Sequence, residues 1–172
     1  VADLSHIQTN GSNGRGGTIT LSANQGTLTY QGIIEANGDS QAGNIILTAN
    51  HIQIQDGSHI TAIGHLGGGH IQIGGSWQNN NPIIHQAITN TIEPNVLIDA
   101  SALTNGNGGE IVIWSDITNP DSITTVHGTL YAKGGAESGD GGRIETSGRT
   151  LDLDDIQIST LSIHGRTGEW LL

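Results

Sequence analysis

Two aspartates near the end of the chain have the residue type and spacing that catalysis requires. Asp152 and Asp154 lie two positions apart in the sequence Leu151-Asp-Leu-Asp-Asp155. Alternate residues of a β-strand share a face, so these carboxylates would lie about 6.6 Å apart at ~3.3 Å per residue. Carboxylates at that range can act as acid and base on a glycosidic bond. Solvent-facing polar positions are the simpler interpretation, because adjacent repeats carry no Lys or Arg at the same offset.

A glycine-rich turn holds two further acidic residues. The sequence from Gly134 to Gly142 partly matches the Gly-Gly-x-Gly-x-Asp repeat that binds calcium between successive copies. The match occurs once, without the regular nine-residue spacing, so a plain glycine turn is favoured. If a hard cation does bind, Asp140 and Glu137 are the best available oxygen ligands.

The chain contains 8 histidines, a high number for 172 residues. Four of them are close in sequence: His51, His59, His65 and His70. No pair has the helical i, i+4 spacing or the short zinc-finger spacing that metal sites favour. The pattern therefore predicts exposed strand positions, with a surface zinc or nickel patch as the alternative.

Other kinds of chemistry find little support in the composition. The chain has no Cys for a thiol nucleophile, and its Ser, His and Asp residues are too scattered to nominate a triad. A formal net charge of −11 would repel nucleic acid. No apolar run approaches the ~18 residues of a membrane helix. We therefore predict a chain that is not an enzyme, with no catalytic, cofactor-binding or metal-ligating residue, no cofactor, no nucleic-acid partner and no membrane span.

A Gly-x-apolar-x-apolar phrase recurs along the whole chain. Its leading glycines are 26, 26, 40, 33 and 26 residues apart, so the two long spacings exceed the common unit by 14 and 7 residues. Loop-forming residues cluster at both surpluses, in Trp77–Pro82 and in Ile117–Asp121. The six phrases are Gly17-Thr-Ile-Thr-Leu21, Gly43-Asn-Ile-Ile-Leu47, Gly69-His-Ile-Gln-Ile73, Gly109-Glu-Ile-Val-Ile113, Gly142-Arg-Ile-Glu-Thr146 and Gly168-Glu-Trp-Leu-Leu172.

Each repeat contains further runs with the alternation of a strand. The second runs include Leu28 with Tyr30, Ile52 with Ile54, and Leu151 with Leu153. The third runs are Ile34-Glu-Ala36, Ile60-Thr-Ala62, Ile98-Asp-Ala100, Leu130-Tyr-Ala132 and, without the Ala, Leu161-Ser-Ile163.

Three short strands per 26-residue unit indicate an all-β fold, a right-handed parallel β-helix. We predict about six coils within a single segment, 1–172, with loop insertions near 77–90 and 117–123. A β-sandwich would not return one phrase at a constant interval. Because the chain starts abruptly at Val1 and stops in mid-strand at Leu172, we expect it to be a fragment of a longer exoprotein.

The first loop insertion contains four large apolar side chains: Trp77, Ile83, Ile84 and Ile88. Two interpretations stay open. The loop could be a structural flap that covers a flank of the rod, which is the favoured interpretation, or it could present a partner-binding surface.

The last third of the chain resembles a known family. The matching phrases are Gly108-Gly-Glu-Ile-Val-Ile-Trp114, Gly128-Thr-Leu-Tyr-Ala-Lys-Gly-Gly135, Gly139-Asp-Gly-Gly-Arg-Ile-Glu-Thr-Ser-Gly148 and Gly168-Glu-Trp-Leu-Leu172. They are similar to the two-partner secretion exoproteins, the filamentous-haemagglutinin-like adhesins of Gram-negative bacteria and cyanobacteria. The resemblance covers nearly the whole chain, strongly in the last third and loosely before Gly16.

The resemblance implies a secreted or cell-surface β-helix shaft that is exported through an outer-membrane transporter. The export domain of that family is not visibly present, and no catalytic residue carries over. The predicted function is therefore attachment to cells or surfaces through a glycan or protein receptor. Two alternatives stay open. A carbohydrate-active β-helix enzyme would need a groove of Asp and Lys or Arg across three coils, which the sequence alone does not assemble. A self-assembling fibre subunit would stack on neighbouring copies at its open ends.

Overall fold

The computed structural model describes residues 5–172, so the expectation about Val1 lies outside the described residues. Within this range, 17 strands form three parallel sheets, which we name S1, S2 and S3 after their order in a coil. S1 contains β2 (Thr18–Ser22), β5 (Asn44–Thr48), β8 (His70–Ile73), β11 (Glu110–Trp114), β14 (Arg143–Ser147) and β17 (Glu169–Leu171). S2 contains β3 (Thr27–Tyr30), β6 (His51–Ile54), β9 (Thr89–Ile92), β12 (Ile123–Val126) and β15 (Thr150–Asp152). S3 contains β1 (Ser5–Gln8), β4 (Gly32–Glu35), β7 (His59–Thr61), β10 (Leu97–Asp99), β13 (Thr129–Tyr131) and β16 (Gln157–Ser159).

Every strand pairs in parallel with the equivalent strand of the next coil, which confirms the predicted parallel β-helix. Each of the six predicted starts becomes one strand of S1, and each strand begins directly after its leading glycine. Strand β1, before the first of these starts, was not predicted. Among residues 5–172, no helix is long and apolar enough to cross a membrane.

The core consists of aliphatic side chains stacked in columns between coils. In S1 the register aligns Ile45 with Ile71, Ile111 and Ile144, and all four side chains are fully buried. Burying such a side chain stabilises the fold by about 1.5–3 kcal/mol. Because a single coil would leave these inward side chains exposed to water, most of this stabilisation depends on the stacking of neighbouring coils.

The leading glycines form a column in which neighbouring coils touch through their backbones. A Cβ atom on Gly43 would lie 1.8 Å from the carbonyl oxygen of Gly17, and the later glycines meet the same obstacle at 1.8–2.2 Å. That carbonyl is occupied, because it accepts the N–H of Asn44 at 2.9 Å. The repeated glycine is therefore required by close backbone approach.

Small residues close the third strand of each coil. Ala36, Ala62, Ala100 and Ala132 are fully buried. Their carbonyls accept the N–H of the next leading glycine, for example Gly43 to Ala36 at 2.7 Å. Each of these bonds closes the turn from S3 into S1.

The predicted third strand of the last repeat was wrong. Strand β16 aligns Ile158 with Leu130, so the strand precedes the predicted Leu161-Ser-Ile163 run by three residues. Leu161 and Ile163 are 61% and 73% exposed. Alternation alone did not reveal the error, because both runs offer apolar residues at a spacing of two.

A polar seam interrupts the core where the two long connections leave S1. Asn90 and Thr124 occupy the column that holds Ile52 and Leu151 in neighbouring coils. The Asn90 side chain donates to the Trp114 carbonyl at 2.6 Å, and Thr124 donates to the Ser147 carbonyl at 2.9 Å. These buried side chains satisfy backbone groups at the rerouted corner.

The glycine column gives a direct stability prediction. Gly43→Ala should lower the free energy of unfolding by about 3 kcal/mol, because the new methyl group forces two backbones apart. Gly14→Ala is the matched control, since a Cβ there meets nothing within 4 Å, and its effect should stay within about 0.5 kcal/mol. Urea unfolding followed by circular dichroism measures both, and equal stability of the two variants would contradict the role of the column.

The corrected strand gives a second prediction. Ile158→Ala removes a side chain that packs against the core, so it should cost about 1–2 kcal/mol, less than a fully buried position. Leu161→Ala should change stability by less than about 0.5 kcal/mol. Thermal unfolding of both variants decides between the two placements, and a larger loss for Leu161→Ala would restore the sequence-based one.

Candidate functional site

A long connection between β8 and β9 forms a flap on the outer side of S1. It comprises the 15 residues 74–88, whereas the two residues 49–50 suffice in the coil before. A single 3-10 turn, Trp77–Asn79, brings the flap back against the sheet. The next connection, residues 115–122, lies beside it and pairs through Ala87 and Ser115.

The flap covers a small apolar cluster outside the main core. Trp77 packs with Val112 and Trp114, which face outward from β11, and with Leu171 of β17. The Trp114 indole N–H donates to Gln86 of the flap at 2.9 Å. The favoured flap interpretation agrees with this packing, although Ile83 at the tip is 90% exposed.

Beneath the flap lies a buried carboxylate, Glu145 of β14, which is 1% exposed. It accepts the backbone N–H of Gln78 at 2.7 Å and the hydroxyl of Ser147 at 3.0 Å. Burial raises the pKa of Glu145 above its usual value, and these two hydrogen bonds offset part of the increase. Gln78 and Asn79 both have left-handed backbone conformations, with φ of 47° and 52°, so the carboxylate holds a strained turn in place.

A second acidic residue of the same sheet is paired with arginine. Glu110 of β11 is largely buried and accepts from Arg143 Nε at 2.8 Å, with a further contact from the Nη2 atom. The guanidinium also lies over the Trp77 ring, 4.2 Å from its centroid. Arg143 of β14 thus links Glu110 of β11 to Trp77 of the flap.

Between S3 and S1, a groove of about 870 Å³ runs along the helix axis. Its floor is formed by the glycine turns that precede the S1 strands, and we call it the S1–S3 groove. Its wall on S1 is a column of outward residues aligned by register. The charged or titratable residues that line it are His70, Glu110, Asp140, Arg143, Arg166 and Glu169.

The two acidic residues considered for calcium bind to protein groups instead. Asp140 accepts the Arg166 backbone N–H at 2.8 Å and its side chain at 2.8 and 3.1 Å. The backbone hydrogen bond, followed by the side-chain one, lowers the pKa of Asp140. Glu137 accepts from Asn105 at 3.1 Å. In the described part of the chain, no three His, Cys, Asp or Glu side chains are grouped closely enough to hold a metal ion.

The predicted pairing of Asp152 and Asp154 on one strand face was wrong. Strand β15 ends at Asp152, and Asp154 lies in the turn that follows. Asp152 has a different partner, because its Oδ1 lies 3.1 Å from His127 Nε2. This hydrogen bond lowers the pKa of Asp152, so the aspartate is a poor general acid.

The four histidines considered for a metal patch lie apart, on different sheets and turns. His51 pairs with Thr89 at 2.9 Å, and His65 pairs with Thr104 at 3.1 Å. His59 and His70 are exposed at the starts of β7 and β8, as predicted.

Sequence reasoning missed the two features with the greatest chemical content. The groove was missed because its charged residues come from separate repeats at intervals of 40, 33 and 26 residues. A signal was nevertheless present, since His70, Glu110, Arg143 and Glu169 each follow a leading glycine. No sequence pattern of this kind indicates that Glu145 is buried, because its burial depends on the path of the flap.

The buried carboxylate predicts a pH dependence of stability. Because its pKa is raised, the native state binds the Glu145 proton more tightly than the unfolded chain does. The protonated group's contribution to the free energy of unfolding is therefore fully present below the usual Glu pKa. It is lost as pH rises through the raised pKa of the native state. Glu145→Gln keeps the shape without the charge, and the melting temperature at pH 7 should rise by about 2–4 °C, the shift for roughly 1 kcal/mol in a chain of this size.

The measurement is thermal unfolding of Glu145→Gln and the parent chain between pH 4 and pH 8. The difference in melting temperature should grow with pH. Glu137→Gln is the control, because that side chain is exposed, and its difference from the parent chain should stay flat. A variant that is less stable at pH 7 would show that the charge itself holds the flap.

No protein-family profile and no curated protein matches this chain. Among solved structures, the chain is similar to the HMW1 secretion domain from Haemophilus influenzae, with a TM-score of 0.72 and 26% sequence identity. The match covers 90% of this chain and 39% of the HMW1 chain. This likeness does not support the expectation that an export domain is absent, because the matching protein is itself a secretion domain. It supports the resemblance to secreted exoproteins that the repeat phrases indicated.

Proposed function

We propose that this chain is a non-catalytic, adhesive segment of a longer exoprotein displayed at the surface of a Gram-negative bacterium or cyanobacterium. Residues 1–172 form one segment of its β-helix shaft. An outer-membrane transporter exports the parent protein, and the outer faces of the coils attach it to cells or surfaces.

The observation that carries this proposal is the likeness of the coil stack to the HMW1 secretion domain. It extends over 90% of the chain, so it includes the coils and their connections together. The phrases from Gly108 to Leu172 that resemble two-partner secretion exoproteins lie within the same stack. Fold and sequence phrases thus support one secretion route.

The state of the acidic residues supports a role without catalysis. Glu145 is covered by the flap, Glu110 is bound to Arg143, and Asp140 is bound to Arg166. A glycosidase requires two carboxylates that can reach the bond from opposite sides. In this chain these three carboxylates are already bound to protein groups.

A carbohydrate-active enzyme is the second candidate, and one observation favours it. The S1–S3 groove brings Glu110, Arg143 and Glu169 onto three consecutive coils, which is the arrangement that such an enzyme would need. The sequence alone did not assemble this arrangement. The experiment below therefore measures product release together with attachment.

An attachment assay tests the proposed function. Beads coated with the chain should be retained on epithelial cells, bacterial cells or glass more strongly than albumin-coated beads. The same preparation, incubated with a panel of polysaccharides, should release neither reducing sugars nor unsaturated products. Product formation would establish the enzyme, whereas absence of both retention and products would contradict both candidates. Beads coated with Gly43→Ala, in which the coils are disturbed, serve as the matched folding control.

A fibre subunit remains a separate prediction. It would assemble end to end, so light scattering by the chain should rise with concentration. A strictly monomeric chain at high concentration would contradict it.

A further inference from the structure

The S1–S3 groove has unused hydrogen-bonding groups at both ends. In the described residues, the side chains of His70 and Glu169 have no hydrogen-bond or ion-pair partner, and both are exposed. They lie in one register column, three coils apart, with Glu110 and Arg143 between them. At ~4.8 Å per coil, the column spans about 14 Å along the axis.

The middle of the groove offers fixed donors and acceptors. Glu110 and Arg143 hold each other in one geometry, and Arg166 is held in the same way by Asp140. Ion pairs of this kind present guanidinium N–H groups beside carboxylate oxygens. A hydroxyl group, which both donates and accepts, can bond to such a pair without breaking it.

The lining disfavours a peptide as the ligand. The turn glycines already use their N–H groups between coils, as in Gly68 to Asn107 at 3.0 Å and Gly108 to Asp140 at 2.9 Å. A peptide backbone would therefore find few free partners for strand addition. Leu66 is the one large aliphatic side chain of the lining, so peptide side chains would find no apolar pocket.

Charge disfavours an anionic ligand. The lining contains three carboxylates and two guanidinium groups, and the whole chain has a formal net charge of −11. A sulfated or carboxylated glycan would meet repulsion both at the groove and at longer range. A neutral polyhydroxyl chain meets neither.

We propose that the S1–S3 groove binds a neutral oligosaccharide laid along the helix axis, with hydroxyls bonded to His70, Arg143 and Glu169. This assignment deepens the proposed adhesive function and rests on it. The groove has no tryptophan, tyrosine or phenylalanine on which a sugar ring could stack. A single site therefore binds weakly, with a dissociation constant of about 1 mM, and attachment depends on many copies.

NMR titration of the ¹⁵N-labelled chain tests the groove directly. The probes are hexasaccharides of cellulose, amylose, xylan and chitin, with a heparin hexasaccharide as the anionic comparison. At least one neutral probe should shift the amide signals of Gly68, Gly108, Gly141 and Gly168, and heparin should not. Shifts confined to other surfaces, no shift with any neutral probe, or stronger binding of heparin would overturn the proposal.

Matched variants locate the binding groups. His70→Ala and Glu169→Ala should each weaken the neutral probe about three- to tenfold, the loss of one hydrogen bond. His59→Ala and Glu137→Ala change exposed residues of the same two types outside the groove, and they should bind like the parent chain. Equal binding by all four variants would overturn the proposal.

Comparison with the attachment assay separates the two proposals. If beads carrying His70→Ala and Glu169→Ala attach as strongly as beads carrying the parent chain, the groove is not the attachment surface. The adhesive function then depends on another surface of the chain. If the parent chain binds a neutral probe by NMR but its beads attach to nothing, the groove stands and the adhesive function fails.

Discussion

At the turn from S3 into S1, successive coils approach so closely that their backbones touch. The Gly17 carbonyl accepts the N–H of Asn44 from the next coil, and a Cβ on Gly43 would lie 1.8 Å from the same oxygen. The N–H of Gly43 points the other way and donates to Ala36, which closes its own turn at 2.7 Å. The Gly43 carbonyl in turn accepts the N–H of His70 from the following coil at 3.1 Å. The same glycine therefore forms one bond within its coil and one to the next coil, and this contact fixes how S1 follows S3.

The constraint at this corner explains where the chain tolerates insertions. The connections from S3 to S1 contain 8 to 11 residues, whereas those from S1 to S2 contain between 2 and 15. The S1–S2 corner carries no glycine column, and the polar seam around Asn90 and Thr124 bonds to the rerouted backbone there. The flap grows from this corner and folds back over S1, so an insertion outside the core still adds the buried contacts of Trp77.

Periodicity predicted the strands of S1 and the fold, because glycine spacing reports backbone contacts that side chains cannot replace. It failed for Leu161 and Ile163, since an alternating apolar run at the last coil does not show which pair faces the core; the register with Leu130 selects Ile158. The candidate site was less predictable. Asp152 and Asp154 lie two positions apart in sequence but are separated by the end of β15, whereas Glu110 and Arg143 are distant in sequence and joined by register. Burial of Glu145 requires the path of the flap, which no local pattern specifies.

The glycine column also determines which positions are free to carry recognition. The residue after each leading glycine faces outward and differs between neighbouring coils: Thr18, Asn44, His70, Glu110, Arg143 and Glu169. The last four of these residues line the groove. The glycine cannot change without separating two backbones. The exposed neighbours His70 and Glu169 can change without disturbing the stack, because their side chains have no hydrogen-bond or ion-pair partner among the described residues. A fixed scaffold thus presents a variable column with the spacing of the coils. The proposed groove therefore takes one side chain from each coil, and each of these side chains follows a glycine that the fold requires.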